Sequence, residues 1–145
     1  MAEVRRTLQG KFCIAPERIA HLESKLREHF ADAWVEGVEF LIQEMTNDEK
    51  DRHVMAAAVH ADARLIVAYN IRHFPLSSTR PWGVTAVGPS AFLKELYAAD
   101  RRLVLEVLCE QASDLKRSFA DLLRVLRKAV PSFVEVVCRD SQLKL

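Results

Sequence analysis

Residues 48–75 read DEKDRHVMAAAVHADARLIVAYNIRHFP, and no other stretch constrains the fold so tightly. A helix beginning near Arg52 sets Val54, Ala57, Ala58 and Ala61 on one face, all small enough for the helix to lie close against a sheet. LIVAY, residues 65–69, is then a short apolar run rich in β-branched residues, the pattern of a buried parallel strand. The fold class this implies is α/β. In open α/β sheets, ligands bind beyond the carboxyl ends of the strands. Asn70, Arg72 and His73 fall at that rim, and the acids Asp48, Glu49 and Asp51 stand where the helix begins, so polar groups from two elements can meet there.

Taken alone, those acids have a structural explanation. Asn47 and Asp48 suit the amino-terminal cap of the helix, and Asp48, Glu49 and Asp51 all favour the positive end of its dipole. By the same reasoning Asn70 ends the strand in a turn.

The wording of the segment argues further. Asp51, Arg52, His53, Val54 and Ala56 to Ala58, followed by Ala63, Ile66, Val67, Asn70, Arg72, Phe74 and Pro75, resemble the second half of a PIN domain. This is the nuclease fold of VapC-type toxins, in the branch that reads "DRHVLAAA … ADxIVTxNLRDFP". MAEVRRTL at the start is similar to the end of the family's "ILxEVRRxL" helix, and WGVTAVGPSAFLKEL, residues 82–96, to its "GIxxxxPDxFL" segment. The resemblance implies a PIN-like three-layer α/β/α fold with a short parallel sheet. On this reading residues 1–98 form an incomplete PIN-like domain and residues 99–145 a helical extension.

It also implies a chemistry. Glu3 and Asp51 would be metal carboxylates and catalytic residues around Mg²⁺ or Mn²⁺, hard ions that need only a few convergent oxygens. Asn70 would orient water at the metal or contact phosphate, with Arg72 and His73 binding substrate. The family's first-strand Asp has no counterpart before Glu3, so either the true start lies upstream or a separate amino-terminal fragment supplies that strand. His73 departs from the pattern, which has an acid in "RDFP" where this chain has RHFP. The exchange removes an anionic oxygen and weakens the case for Mg²⁺.

Composition bounds the alternatives. At 145 residues and 50% apolar content the chain has single-domain length and enough material for a core. Its 21 basic and 20 acidic residues leave a charge of +1, so any nucleic-acid contact is local. Cys13, Cys109 and Cys138 are widely spaced among apolar residues, which reads as reduced core thiols without zinc spacing. No run approaches membrane-spanning length and the amino terminus is charged, so the expected location is cytoplasmic.

Elsewhere the pattern is helical. Pro16 suits a first helical position, with Ile19, Leu22, Leu26 and Phe30 on one stripe. A short strand is expected over residues 33–35 and a second apolar run over residues 40–42. Pro81 and Gly83 interrupt any helix, residues 84–87 form a strand, and Ser90 opens a helix reaching Tyr97. Leu103, Val107 and Leu108 line one further helix; Phe119, Leu122, Leu123, Leu126 and Val130 line another, ended by Pro131. His53 is expected to be partly buried.

Two functions follow. The first is the carboxyl-terminal part of a split PIN-domain toxin, a metal-dependent endoribonuclease acting on single-stranded RNA once completed, and neutralised by an antitoxin. The second is an inactive PIN remnant serving as a binding module for an antitoxin or for itself as a homo-oligomer.

Overall fold

The structure, a computed structural model, describes residues 2–145, with side chains from residue 4 onward. Contacts divide the chain into two units, Met1–Gly37 and Val38–Leu145.

In the first unit, α1 (Ala2–Gly10) packs on α2 (Pro16–His29), with an Arg5–Glu23 ion pair between them. Pro16 occupies the first turn, as its fixed φ and missing N–H favour. Of the expected apolar stripe on α2, Ile19 is buried, whereas Leu22 is exposed and so is Phe30, just past its end. The strand expected over residues 33–35 does not form. The chain makes a 3-10 turn over Ala31–Ala33, closed by Ala33 N–H on the Phe30 carbonyl at 3.1 Å, and the Arg27 guanidinium stacks 3.9 Å from the Trp34 ring centroid. A lone three-residue strand has no ladder to join, and a local turn satisfies its polar groups instead.

The second unit begins with α3 (Glu39–Ile42), a single helical turn where an apolar run was read. A 3-10 turn over Glu49–Asp51 leads into α4 (Arg52–His60), then β1 (Leu65–Val67), a 3-10 turn over Ile71–His73, α5 (Leu76–Thr79) and β2 (Thr85–Val87). The strands pair in parallel, Leu65 with Thr85, Ile66 with Ala86 and Val67 with Val87. Between α5 and β2, Gly83 takes φ +66°, the left-handed conformation glycine adopts without steric cost. The remaining helices are α6 (Pro89–Ala99), α7 (Arg101–Asp114), α8 (Phe119–Leu126) and α9 (Pro131–Asp140). The fold is α/β, its sheet reduced to two short parallel strands among the described residues.

Two apolar clusters hold this unit. The first gathers Met45, Met55, Ala56, Ala58, Ile66, Phe74 and Val84, so α4 packs against the sheet through Met55, Ala56 and Ala58. That face is rotated from the expected one: Ala61 is exposed, and Val54 and Ala57 are only half-buried. Met55 is the largest apolar side chain on the helix, and burying it removes more apolar area from water than aligning four small residues would. β1 is also less enclosed than its composition implied. Ile66 is buried, but Val67 is 43% and Tyr69 72% exposed.

The second cluster joins Tyr97 of α6 to Leu108 and Ala112 of α7, Leu122 and Leu123 of α8, and Phe133, Val134 and Val137 of α9. Of the three residues expected to line α7, Leu108 is buried, while Leu103 and Val107 stand exposed along an open apolar groove. All three cysteines are free, but only Cys138, half-buried against the second cluster, touches the core; Cys13 and Cys109 are exposed. One residue of helix turns a side chain by about 100°, so with Leu108 inward Cys109 faces water. No helix among the described residues is long and apolar enough to cross a membrane.

Candidate metal centre

The site is built from two short turns that flank the first core cluster. Asp48 caps the turn over Glu49–Asp51, its Oδ1 accepting the Lys50 N–H at 3.1 Å. Asp51 ends that turn and begins α4, although its side chain makes no capping bond. Asn47, also expected to cap, is buried, with its amide nitrogen 3.4 Å from the Asp48 carbonyl.

At the carboxyl end of β1, Asn70 precedes the turn over Ile71–His73, closed by His73 N–H on the Asn70 carbonyl at 2.8 Å. Phe74, buried in the core, anchors the far side. The two turns are joined by their backbones as well, since Asp48 N–H donates to the His73 carbonyl at 3.2 Å.

This frame brings three polar side chains together. The Asn70 amide donates to Asp51 Oδ2 at 2.7 Å, and His73 Nδ1 lies 2.6 Å from the same oxygen. Asn70 Nδ2 and His73 Nδ1 are also 3.1 Å apart. Two donors converging on one acceptor must approach each other, and an ionised carboxylate only accepts. The consistent assignment puts a proton on Nδ1, donated to Asp51, with the 3.1 Å approach as its geometric by-product. Asp51 and His73 are largely shielded, with side chains 20% and 23% exposed, whereas Asp48 is open at 40%. Low solvent access strengthens such charge-assisted bonds.

Asp48 closes the group. Its Oδ1 is 3.8 Å from His73 Nδ1, and Asp48, Asp51 and His73 each offer one ligand atom, all within 4.8 Å of one another. Two carboxylate oxygens and an imidazole nitrogen form a donor set that fits a divalent ion.

Of the residues expected at the site, the structure brings Asp51, Asn70 and His73 into contact. Arg72 is exposed on the adjoining turn and makes no side-chain hydrogen bond or ion pair to this cluster; with Tyr69, Asn70 and Ile71 it lines a shallow cleft. Glu3 lies outside the residues whose side chains are described. His53 is exposed rather than partly buried. Two residues escaped the sequence reading. Asp48 was taken mainly as a cap, yet one carboxylate can accept a backbone N–H through Oδ1 and still face the cluster. Tyr69 was read as the end of a buried strand. Its signal was its place beside Asn70, past the last ladder residue, where a side chain faces the rim.

Comparison with known proteins gives one relative. The chain is 36% identical over 104 residues to a protein of Mycobacterium tuberculosis named "Putative ribonuclease VapC50", a span that is 70% of this chain and 62% of that protein. No family model matches the chain, and no solved structure matches it. The chain thus spans less than two thirds of its relative's length, and over that span it is similar to a VapC-type protein.

Proposed function

We propose that this chain is part of a VapC-like PIN-domain toxin, an endoribonuclease that hydrolyses single-stranded RNA with the help of a divalent ion. The observation that carries the reading is Asp51, held through one oxygen by Asn70 and His73 at the carboxyl end of β1. This is where α/β folds place their chemistry. The similarity to the mycobacterial relative supports it.

When bound, the ion supplies Lewis-acid polarisation of the phosphate and lowers the pKa of the attacking water. The chain's own residues prepare for this. The Asn70 amide, donating to Asp51 Oδ2, helps to fix that carboxylate before substrate arrives. Arg72, exposed one residue before His73, offers a planar fork of donors to a phosphate. The exposed Tyr69 ring beside it is a platform on which an unpaired base can stack.

In this reading residues 1–98 are the PIN-like part and residues 99–145 a helical extension. On the family resemblance Glu3 corresponds to a second carboxylate, and the first-strand acid has no counterpart within residues 1–145. An antitoxin is the natural partner.

A binding module without catalysis is favoured by one observation, the imidazole standing where the related pattern has an acid. A cleavage assay separates the two. The chain is incubated, alone and coexpressed with the polypeptide encoded upstream, with labelled single-stranded RNA and Mg²⁺ or Mn²⁺. Cleavage that disappears in Asp51→Ala supports the nuclease. No cleavage under any of these conditions, or cleavage that the variant leaves intact, would sink it.

A further inference from the structure

We propose that His73 is itself a metal ligand, binding through Nδ1 beside Asp48 and Asp51, and that the centre therefore selects Mn²⁺, which tolerates a nitrogen ligand better, over Mg²⁺. The inference rests on the reading of this cluster as a metal site, but not on RNA being the substrate.

The position of the imidazole is determined by the backbone. His73 closes its own 3-10 turn through its N–H and accepts the Asp48 N–H through its carbonyl. The residue therefore cannot drift from the acidic turn without breaking bonds in both. From this anchor the ring reaches back over the cluster, with Nδ1 2.6 Å from Asp51 Oδ2 and 3.8 Å from Asp48 Oδ1. Its side chain is 23% exposed, so the ring belongs to the cluster rather than to solvent.

The three donors are near the spacing an ion requires. Ligands about 2.0–2.2 Å from a metal lie roughly 3 Å from one another. The His73–Asp51 pair must open by a few tenths of an ångström and Asp48, the most exposed of the three, must close. Both are side-chain movements on fixed turns. Ligation uses the other neutral tautomer of His73, with the ring proton on Nε2, and Asn70 keeps its bond to Asp51.

The donor types decide the ion. Mg²⁺ demands near-ideal octahedral oxygen coordination, and an imidazole in place of a carboxylate removes a negative charge and a hard oxygen. Imidazole suits the transition ions, whose affinity for nitrogen-containing sites rises from Mn²⁺ to Cu²⁺ and falls again at Zn²⁺. An acid at position 73 would reverse that preference.

The test uses the full chain and the metal alone. Isothermal titration calorimetry with MnCl₂ and MgCl₂ is run on the native protein, His73→Ala and His73→Asp, with circular dichroism to verify folding. Native protein should bind Mn²⁺ at least about tenfold more tightly than Mg²⁺, and His73→Ala should lose at least about tenfold in Mn²⁺ affinity, since even outer-shell changes cost that much. His73→Asp should restore Mg²⁺ binding. Pulsed electron paramagnetic resonance of the Mn²⁺-loaded protein should show coupling to one imidazole nitrogen, absent in both variants. No Mn²⁺ binding, equal affinity for the two ions, or a Mn²⁺ spectrum without nitrogen coupling would overturn the proposal. Nitrogen-coupled Mn²⁺ without RNA cleavage leaves it standing and removes the nuclease reading instead.

Discussion

Asp48 donates its backbone N–H to the carbonyl of His73, so the turn that starts α4 and the turn that follows β1 share a main-chain bond as well as the side chains between them. A site framed by backbone bonds holds its geometry when a single side chain is changed. Variants there should alter chemistry more than folding.

Asp51→Ala is the sharpest case. It removes the oxygen that both Asn70 and His73 address. Cleavage of single-stranded RNA should fall by at least about 100-fold, the upper end of what outer-shell losses cost at metal sites. Stability should change by only about 1 kcal/mol, because the two orphaned donors still reach water. Steady-state cleavage and a urea melt, run side by side, check both halves.

Tyr69→Ala should weaken binding of single-stranded RNA by about 1–3 kcal/mol if one base stacks there, with Tyr69→Phe close to native. Arg72→Lys should retain part of the affinity and Arg72→Ala less, because a point charge replaces a fork of donors before being lost altogether. Fluorescence anisotropy with a labelled oligonucleotide reads these directly. A Tyr69→Ala variant that binds like native protein would exclude the platform.

Met55→Ala should cost about 2–5 kcal/mol, as expected for a large apolar side chain removed from a packed interior. Leu103→Ala should cost less than about 0.5 kcal/mol, as surface changes do. Met55 is fully buried between α4 and the sheet, whereas Leu103 is 54% exposed on α7. Urea midpoints of the two variants should therefore differ clearly.

The start of α8 carries a pH dependence. The Ser118 hydroxyl donates to Asp121 Oδ2 at 2.6 Å and accepts the Asp121 N–H at 3.1 Å, and Arg124 donates to Oδ1 at 2.6 Å. The Ser118 bond first, and Arg124 second, hold the Asp121 carboxyl below its ordinary 3.8. A carboxyl depressed in the folded state stabilises the fold at pH above the ordinary value. That contribution is lost as pH falls through the lowered one. The gain is small because the group is fully exposed. Ser118→Ala should cost about 1 kcal/mol at neutral pH through the lost cap, with a smaller difference from native at strongly acid pH. Thermal melts at the two pH values test the sign.

Much of this was legible in the residues. The helix after Asp51, the strand at residue 65 and the rim beyond it follow from spacing and composition, and the α/β class follows from them. What the pattern missed was rotation and cover. The phase of α4 was set by one large residue, Met55, rather than by the alanines around it, and the outward turn of Cys109 followed from its neighbour Leu108. The exposure of Val67 and Tyr69 depends on how few strands lie alongside, which a local apolar run cannot report. In the site, Asn70 and His73 were singled out by their place at the rim and Asp51 by the family resemblance, but their shared oxygen was not foreseeable. It depends on the exact closure of two short turns separated in sequence by α4 and β1.

The hydrogen bonds described for the site all begin and end within residues 47–73, on two turns and the elements between them. Such local closure makes the stretch a portable cassette. Transplanted as one block into another α/β host with a matching helix–strand step, it should carry its donor geometry along, so that the chemistry can be studied apart from the rest of this polypeptide.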